Sequence, residues 1–228
     1  MDLRTGNRRC LYDGTDNLNT HGQAEPGKGG RWLYQAIRRG KTPGVPVFVR
    51  PVEGGEPIQL PIGAPWSAES SGHMAWVGET GRVAVAVDWL RAEKRHDPRH
   101  PEGNLVIAAP GDARPTVFPA PQHGFYHVSI SKCGRYFVCD DFMDFRADGF
   151  GAGRSGPSRI VVGNLESGRS RVLIRDCQDY GIAGSSRFEP TPYFTADSRY
   201  VIYNGSPFGI MQVFAARLPP GFLESLAD

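Results

Sequence analysis

An internal repeat of about fifty residues limits this chain to few architectures. Four segments share one pattern: a polar residue, a short alternating stretch, a turn carrying arginine, then an apolar run. They are HGQAEPGKGGRWLYQA from His21, HMAWVGETGRVAVAVD from His73, HVSISKCGRYFVCDD from His127 and EPTPYFTADSRYVIYNG from Glu189. The turn arginines, Arg31, Arg82, Arg135 and Arg199, stand 51, 53 and 64 residues apart. A four-stranded propeller blade takes roughly 40–50 residues, so these spacings fit blades with loop insertions. The pattern predicts an all-β protein, a β-propeller of about four four-stranded blades.

Further strands fall between the repeats. PVFVRP from Pro46 and PIQLP from Pro57 follow the first repeat, and NLVIAA from Asn104 and PTVFP from Pro115 the second. SRIVVGN from Ser158 and SRVLIR from Ser170 follow the third. Each is a β-branched run bounded by turn formers, which is how strands read in sequence. The chain carries 29 glycines and 19 prolines, about a fifth of its length against an average near 12%. They are spread along the whole chain, as many tight turns require. The fourth repeat continues into IMQVFAAR from Ile210 and supplies no outer strand of its own. The expected blades are 14–62, 63–118, 119–175 and 176–219, in one domain spanning 1–228. Residues 1–13 then give the outer strands of an incomplete blade, and 220–228 a C-terminal tail with a short helix at Gly221–Leu226. A four-bladed ring is at the small end of the propeller range, so the chain reads as part of a longer propeller, with closure of a ring by residues 1–13 in the last blade as the alternative.

Charge and cysteine usage narrow the partners. The formal charge is only +2, and Lys and Arg are scattered among acids, whereas nucleic-acid binders gather them on one face. The one basic cluster, RAEKRHDPR from Arg91, contains acids and reads as a solvated loop. Cys10, Cys133, Cys139 and Cys177 show no metal-binding spacing and read as free thiols. No apolar run approaches the ~20 residues of a membrane span, and the N-terminus has no signal-peptide h-region. The expectation is a cytoplasmic protein with neither nucleic acid nor membrane as partner.

His21, His73, His127 and Glu189 occupy one repeat position, ahead of the turn arginine by 10, 9, 8 and 10 residues. The first strand of a propeller blade is innermost, so these side chains should converge at one end of the central channel. Imidazoles and a carboxylate gathered there suit a divalent metal or acid–base chemistry, or form a polar channel lining. His96, His100 and His123 fall outside the pattern and read as loop residues. Asp140, Asp141 and Asp144 read as a solvated loop, with lining of the channel mouth as the alternative, and ADGFGAGRSG from Ala147 as a connection without a phosphate loop's Lys-Ser/Thr. Trp66, Trp76 and Trp89 suit packing between blades, with sugar stacking as the alternative.

The segments GHMAWVGETGRVAVAVDW, YHVSISKCGRYFVCDDF and EPTPYFTADSRYVIYNGSPFGIMQVFAARLP, with DGTDNLNTHGQ before them, resemble successive blades of oligogalacturonate lyase-type propellers. The resemblance covers roughly residues 1–225 and the C-terminal part of a longer, seven-bladed protein. It implies β-elimination of short galacturonate oligosaccharides in pectin breakdown. A base removes the C5 proton, the C4 oxygen leaves, and a divalent ion such as Mn²⁺ neutralises the uronate carboxylate. It places the base at His73, where a neutral imidazole is suited to the task, and metal ligands at His127 and Glu189. The last blade departs from the family's pattern, a glutamine followed by His-Pro-His-Pro. SRFEPTPYF stands there, putting Ser186, Glu189 and Thr191 at the ligand positions beside His21 in the channel lining. Two nitrogen ligands are lost and one anionic oxygen is gained, which implies a weaker, harder ion site. Two readings stay open: a lyase-like carbohydrate-active propeller, active or degenerate, and a non-catalytic binding or scaffold module.

Overall fold

The structure is a computed structural model. It describes residues 4–8, 10, 17–18, 20–27, 29–38, 45–87, 102–141, 158–177, 189–208 and 210–227. Within these, the first region runs β1 (Asn17–Leu18), β2 (Gln23–Ala24), β3 (Arg31–Gln35), β4 (Ile37–Arg38), β5 (Val47–Pro51) and β6 (Ile58–Gln59). The second is β7 (Ser70–Trp76), β8 (Val83–Val87), β9 (Leu105–Ala108) and β10 (Thr116–Val117). The third is β11 (Phe125–Ile130), β12 (Tyr136–Asp141), β13 (Arg159–Asn164) and β14 (Arg169–Ile174). The fourth is β15 (Tyr193–Phe194), β16 (Tyr200–Gly205) and β17 (Gln212–Arg217). Each region forms one antiparallel sheet in sequence order: β2-β3-β5-β6, β7-β8-β9-β10, β11-β12-β13-β14 and β15-β16-β17, while β1 pairs with β4. Radially repeated meanders of this kind are propeller blades. The fold is the all-β propeller of the sequence reading.

The repeat arginines take equivalent places. Arg31 opens β3, and Arg82, Arg135 and Arg199 each stand one residue before the second strand of their blade. Tight turns precede them; Arg82, Arg135 and Arg199 are exposed and Arg31 is half-buried, while the strand that follows each is largely apolar.

The blades stack through three apolar layers. Leu33, Val47 and Val49 of blade one meet Met74, Trp76, Val83, Val85 and Val87 of blade two. Ala84, Leu105 and Ile107 of blade two meet Phe125, Phe137, Cys139 and Val161 of blade three. Val138, Ile160 and Val162 of blade three meet Phe194 and Val201 of blade four, with Leu218, Phe222 and Leu226 closing over them. Strand β8 shows why its sequence is VAVAV. Successive side chains point to opposite faces, so its valines fill one layer while Ala84 fills the next, and all five residues are buried. Trp76 lies in the first layer with the Arg31 guanidinium 5.4 Å from its ring, a packing tryptophan and not a sugar platform. Where blades two and three touch at the β7–β8 and β11–β12 turns, the contact is backbone on backbone. A Cβ on Gly78 would stand 3.0 Å from the Gly134 Cα, a space only glycine leaves open.

Two expectations need correcting. Asp140 and Asp141 are not in a solvated loop: β12 runs through both, and both are fully buried. The strand continues because both carboxylates find partners inside, as the site shows. The helix expected at Gly221–Leu226 is a single 3₁₀ turn, Glu224–Leu226, after a glycine in left-handed conformation at Gly221 (φ 74°). Residues 4–8 and 10, the described part of segment 1–13, lie in turn and irregular backbone. Asp144, Trp89, His96, His100, the cluster from Arg91 and the glycine-rich stretch from Ala147 lie outside the described residues. Among the described residues no helix is long and apolar enough to cross a membrane, and the four cysteines are free thiols.

The layers make a stability prediction. Phe137 is fully buried between Phe118 and Phe125, with ring centroids 4.8 and 5.3 Å away. Phe137→Ala should cost about 3–5 kcal/mol, whereas Lys132→Ala in the exposed turn beside it should stay within about 0.5 kcal/mol. Urea unfolding of both variants checks the contrast.

Candidate functional site

The inner strands of all four blades open onto one cavity of about 510 Å³. His21 lines it from blade one, His73 from blade two, His127 and Ser129 from blade three, and Thr191 and Tyr193 from blade four. The repeat position is thus a position in space. His73 lies at the centre of the imidazoles, its ring centroid 5.7 Å from that of His21 and 4.0 Å from that of His127, edge to face. Tyr126 packs against both His73 and His127, with ring centroids 4.4 and 4.6 Å away.

His21 is oriented by its neighbours. Its Nδ1 lies 2.6 Å from the Gly72 carbonyl oxygen and 3.4 Å from Gln35 Nε2, and its backbone is left-handed, φ 45°. Gly72, at φ 90°, must be glycine: a Cβ there would stand 2.7 Å from His21 Nδ1. The carbonyl accepts a hydrogen bond, so the Nδ1 facing it carries the proton.

His127 is clasped at both ring nitrogens. Nδ1 is 2.6 Å from Asp140 Oδ2, and Nε2 is 3.1 Å from Glu189 Oε2. Asp140 also accepts the backbone N–H of His127 at 2.7 Å and that of Thr191 at 3.3 Å. Asp140 lies on the strand paired with β11, and Glu189 lies in the approach to β15, so the clasp ties blade three to blade four. Burial pulls the His127 pKa down, but the hydrogen bonds and negative charges of Asp140 and Glu189 outweigh it. The pKa is pushed up to about 9, and the ring is an imidazolium at neutral pH. Thr191, left-handed at φ 44°, turns its hydroxyl to the Glu189 carbonyl, 3.3 Å away.

Beside this clasp is a second one. Asp141 accepts the His123 Nδ1 at 2.8 Å and the Gly124 N–H at 2.9 Å, and pairs with Arg159 at 3.1 Å. Adjacent carboxylates of β12 thus point to opposite faces, each holding a histidine. His123, expected to be an ordinary loop residue, is fixed by the second.

The structure therefore brings together five of the six residues picked from the sequence: His21, His73, His127, Glu189 and Thr191. Ser186 lies outside the described residues. Sequence reading missed Asp140 as a partner of His127. Its one signal was a pair of acids continuing an apolar strand in a histidine-bearing blade.

The donor set bears on the Mn²⁺ that the resemblance implies. A histidine ligand must present a lone pair, so His127 would have to release the Nε2 proton that faces Glu189, while its Nδ1 contact with Asp140 is one that a metal-bound histidine keeps. Among the described residues no group of three His, Cys, Asp or Glu side chains is placed to hold a metal ion. His127 and Glu189 alone are too few ligands for such an ion.

Comparison with known proteins shows the fold alone. A TolB candidate from Agrobacterium tumefaciens superimposes with a TM-score of 0.64 at 16% identity, over 94% of this chain and 63% of that one. TolB from Acinetobacter baumannii gives 0.52 at 12% identity, over 85% and 40%. Oligogalacturonate lyase from Vibrio parahaemolyticus gives 0.51 at 14% identity, over 87% and 48%. The chain thus spans less than two thirds of the length of each. No protein-family model matches the chain, and no curated protein is similar to it.

The clasp gives a pH prediction. Between the ordinary histidine value near 6.5 and about 9, the folded protein keeps a proton that the unfolded chain releases. The stabilisation is fully present below that window and is lost as pH rises through it, roughly 3 kcal/mol in all. Urea midpoints should fall across the window for the native protein and lose this component in His127→Gln. The NMR titration of the His127 ring should centre near 9 and shift down in Asp140→Asn.

Proposed function

We propose that this chain is a carbohydrate-binding β-propeller that takes a short uronate oligosaccharide at the channel mouth and does not cleave it. The observation that carries this reading is the double clasp on His127. It ties blades three and four together beside a cavity lined by polar groups from four blades, with two ligand side chains where a metal ion takes more. The lining suits a sugar: Ser129 and Thr191 bring hydroxyls, His21 and His73 bring ring nitrogens, and Tyr193 is a half-exposed aromatic side chain at the rim. Sugars bind through such a mixture of hydrogen-bonding groups and an apolar face. The uronate class rests on the sequence resemblance, and the propeller shared with an oligogalacturonate lyase supports it at the level of fold.

Elimination by His73 is the second reading, favoured by the place of that residue. His73 lines the cavity with its ring against His127, so a base at His73 would have a buried positive charge as neighbour. The His127 charge is already balanced by Asp140 and Glu189, which engage both of its nitrogens.

Two measurements separate the readings. Titration calorimetry with di- and trigalacturonate should show binding, weakened in Tyr193→Ala and Thr191→Val. Ultraviolet absorbance of the unsaturated product should stay flat with and without added Mn²⁺. Product formation that falls roughly 10²–10⁴-fold in His73→Ala would establish the lyase reading instead, and absence of galacturonate binding would remove the uronate from both.

A further inference from the structure

The open edge of blade four carries an inference about assembly, independent of the channel mouth. Among the described residues, most of the exposed large hydrophobic side chains gather here. Phe208, Ile210, Met211 and Val213 are 60–75% exposed, whereas Tyr193 lies at the channel rim and Ile58 in blade one. Phe208, Ile210 and Met211 sit in the hairpin between β16 and β17, and Val213 in β17 itself. Blade four has three strands where the other blades have four, so β17 is its described edge. It pairs with β16 over six residues without a register shift.

The hydrogen-bond pattern shows which groups the edge offers. The Leu218 N–H donates to the Arg199 carbonyl at 2.9 Å, toward β16. Antiparallel ladders alternate bonded and non-bonded pairs, so Gln212, Phe214 and Ala216 spend their backbone groups on β16. Those of Val213, Ala215 and Arg217 point out of the blade. Natural edge strands are guarded by lysine, proline, a bulge or an inward charge. Gln212–Arg217 has none of these, and its one charge is Arg217 at the far end.

We propose that β17 is where a second copy of this chain docks, the two β17 strands pairing antiparallel about a twofold axis at Ala215. An axis at Phe214 would bring together residues whose backbone groups are already used, and an axis between residues would oppose side chains of opposite faces. With the axis at Ala215, every outward N–H and carbonyl finds a mate. Ala215 meets its symmetry copy, and small side chains let the strands close. Val213 lies beside Arg217 of the partner subunit, under the aliphatic stem of that side chain. The two Arg217 side chains end at opposite ends of the ladder, so no like charges face each other. Met211 falls opposite Pro219 of the partner subunit, an apolar pair, and there the missing proline N–H ends the ladder. The edge is close to neutral and apolar, which fits a copy of itself better than a charged partner strand.

The full chain is measured by sedimentation equilibrium across a concentration series, with hydrogen exchange read at the Val213, Ala215 and Arg217 amides. A concentration-dependent dimer is expected, with these three amides protected at high concentration and exchanging at low. Ala215→Pro removes an outward N–H that the blade itself does not use, and Val213→Lys places a charge on an exposed position. Both should give monomers with an unchanged circular dichroism spectrum and thermal midpoint at low concentration. A native protein that stays monomeric at every concentration overturns the proposal, as does a dimer that both variants leave intact. Protection of the three amides in a monomer also overturns it, since a strand of the same chain would then cover β17.

Discussion

Asp140 is a carboxylate without access to water, and a buried charge is costly unless it is paired. Everything distinctive about the channel mouth answers that requirement. The His127 ring and backbone N–H serve it from the neighbouring strand, and the Thr191 N–H serves it from the next blade. The imidazolium so created then draws in Glu189. One buried acid therefore sets the protonation of His127, fixes its ring plane and pulls the start of blade four onto blade three. The same demand is met on the opposite face of β12, where Asp141 is satisfied by His123, Gly124 and Arg159. A propeller with two adjacent acids in its second strand would fray there without these partners.

Most of the fold was readable from local rules. The alternation of VAVAV, the β-branched runs and the turn arginines each follow from nearest-neighbour geometry, and the blades came out where those patterns lie. The three described strands of blade four also match the sequence, in which no further β-branched run follows IMQVFAAR. The convergence of His21, His73, His127 and Glu189 was legible for the same reason, since equal repeat positions become one ring in a radial fold.

What happens to those side chains once together was not legible. Whether Asp140 faces water or His127 depends on the β11–β12 register, and that register contains an irregularity between Phe125 and Val128. No composition or spacing rule places a bulge to the residue. The reach of Glu189 to His127 spans a blade boundary and 62 residues of chain, so nothing local announces it. A sequence reading can find candidate ligands, but the proton that occupies them is a property of the packed interior.

The glycine contact between the β7–β8 and β11–β12 turns has a consequence at the other end of the blades. Gly78 and Gly134 let two turns meet without side chains, so this point behaves as a fulcrum. Blades two and three are stiff levers extending from it, and His73 and His127 ride on their inner strands. Their 4.0 Å ring separation then depends in part on how closely these two backbones approach. A single methyl group at the fulcrum would act as a shim, changing the angle between the levers and hence the gap between the imidazoles without touching either one.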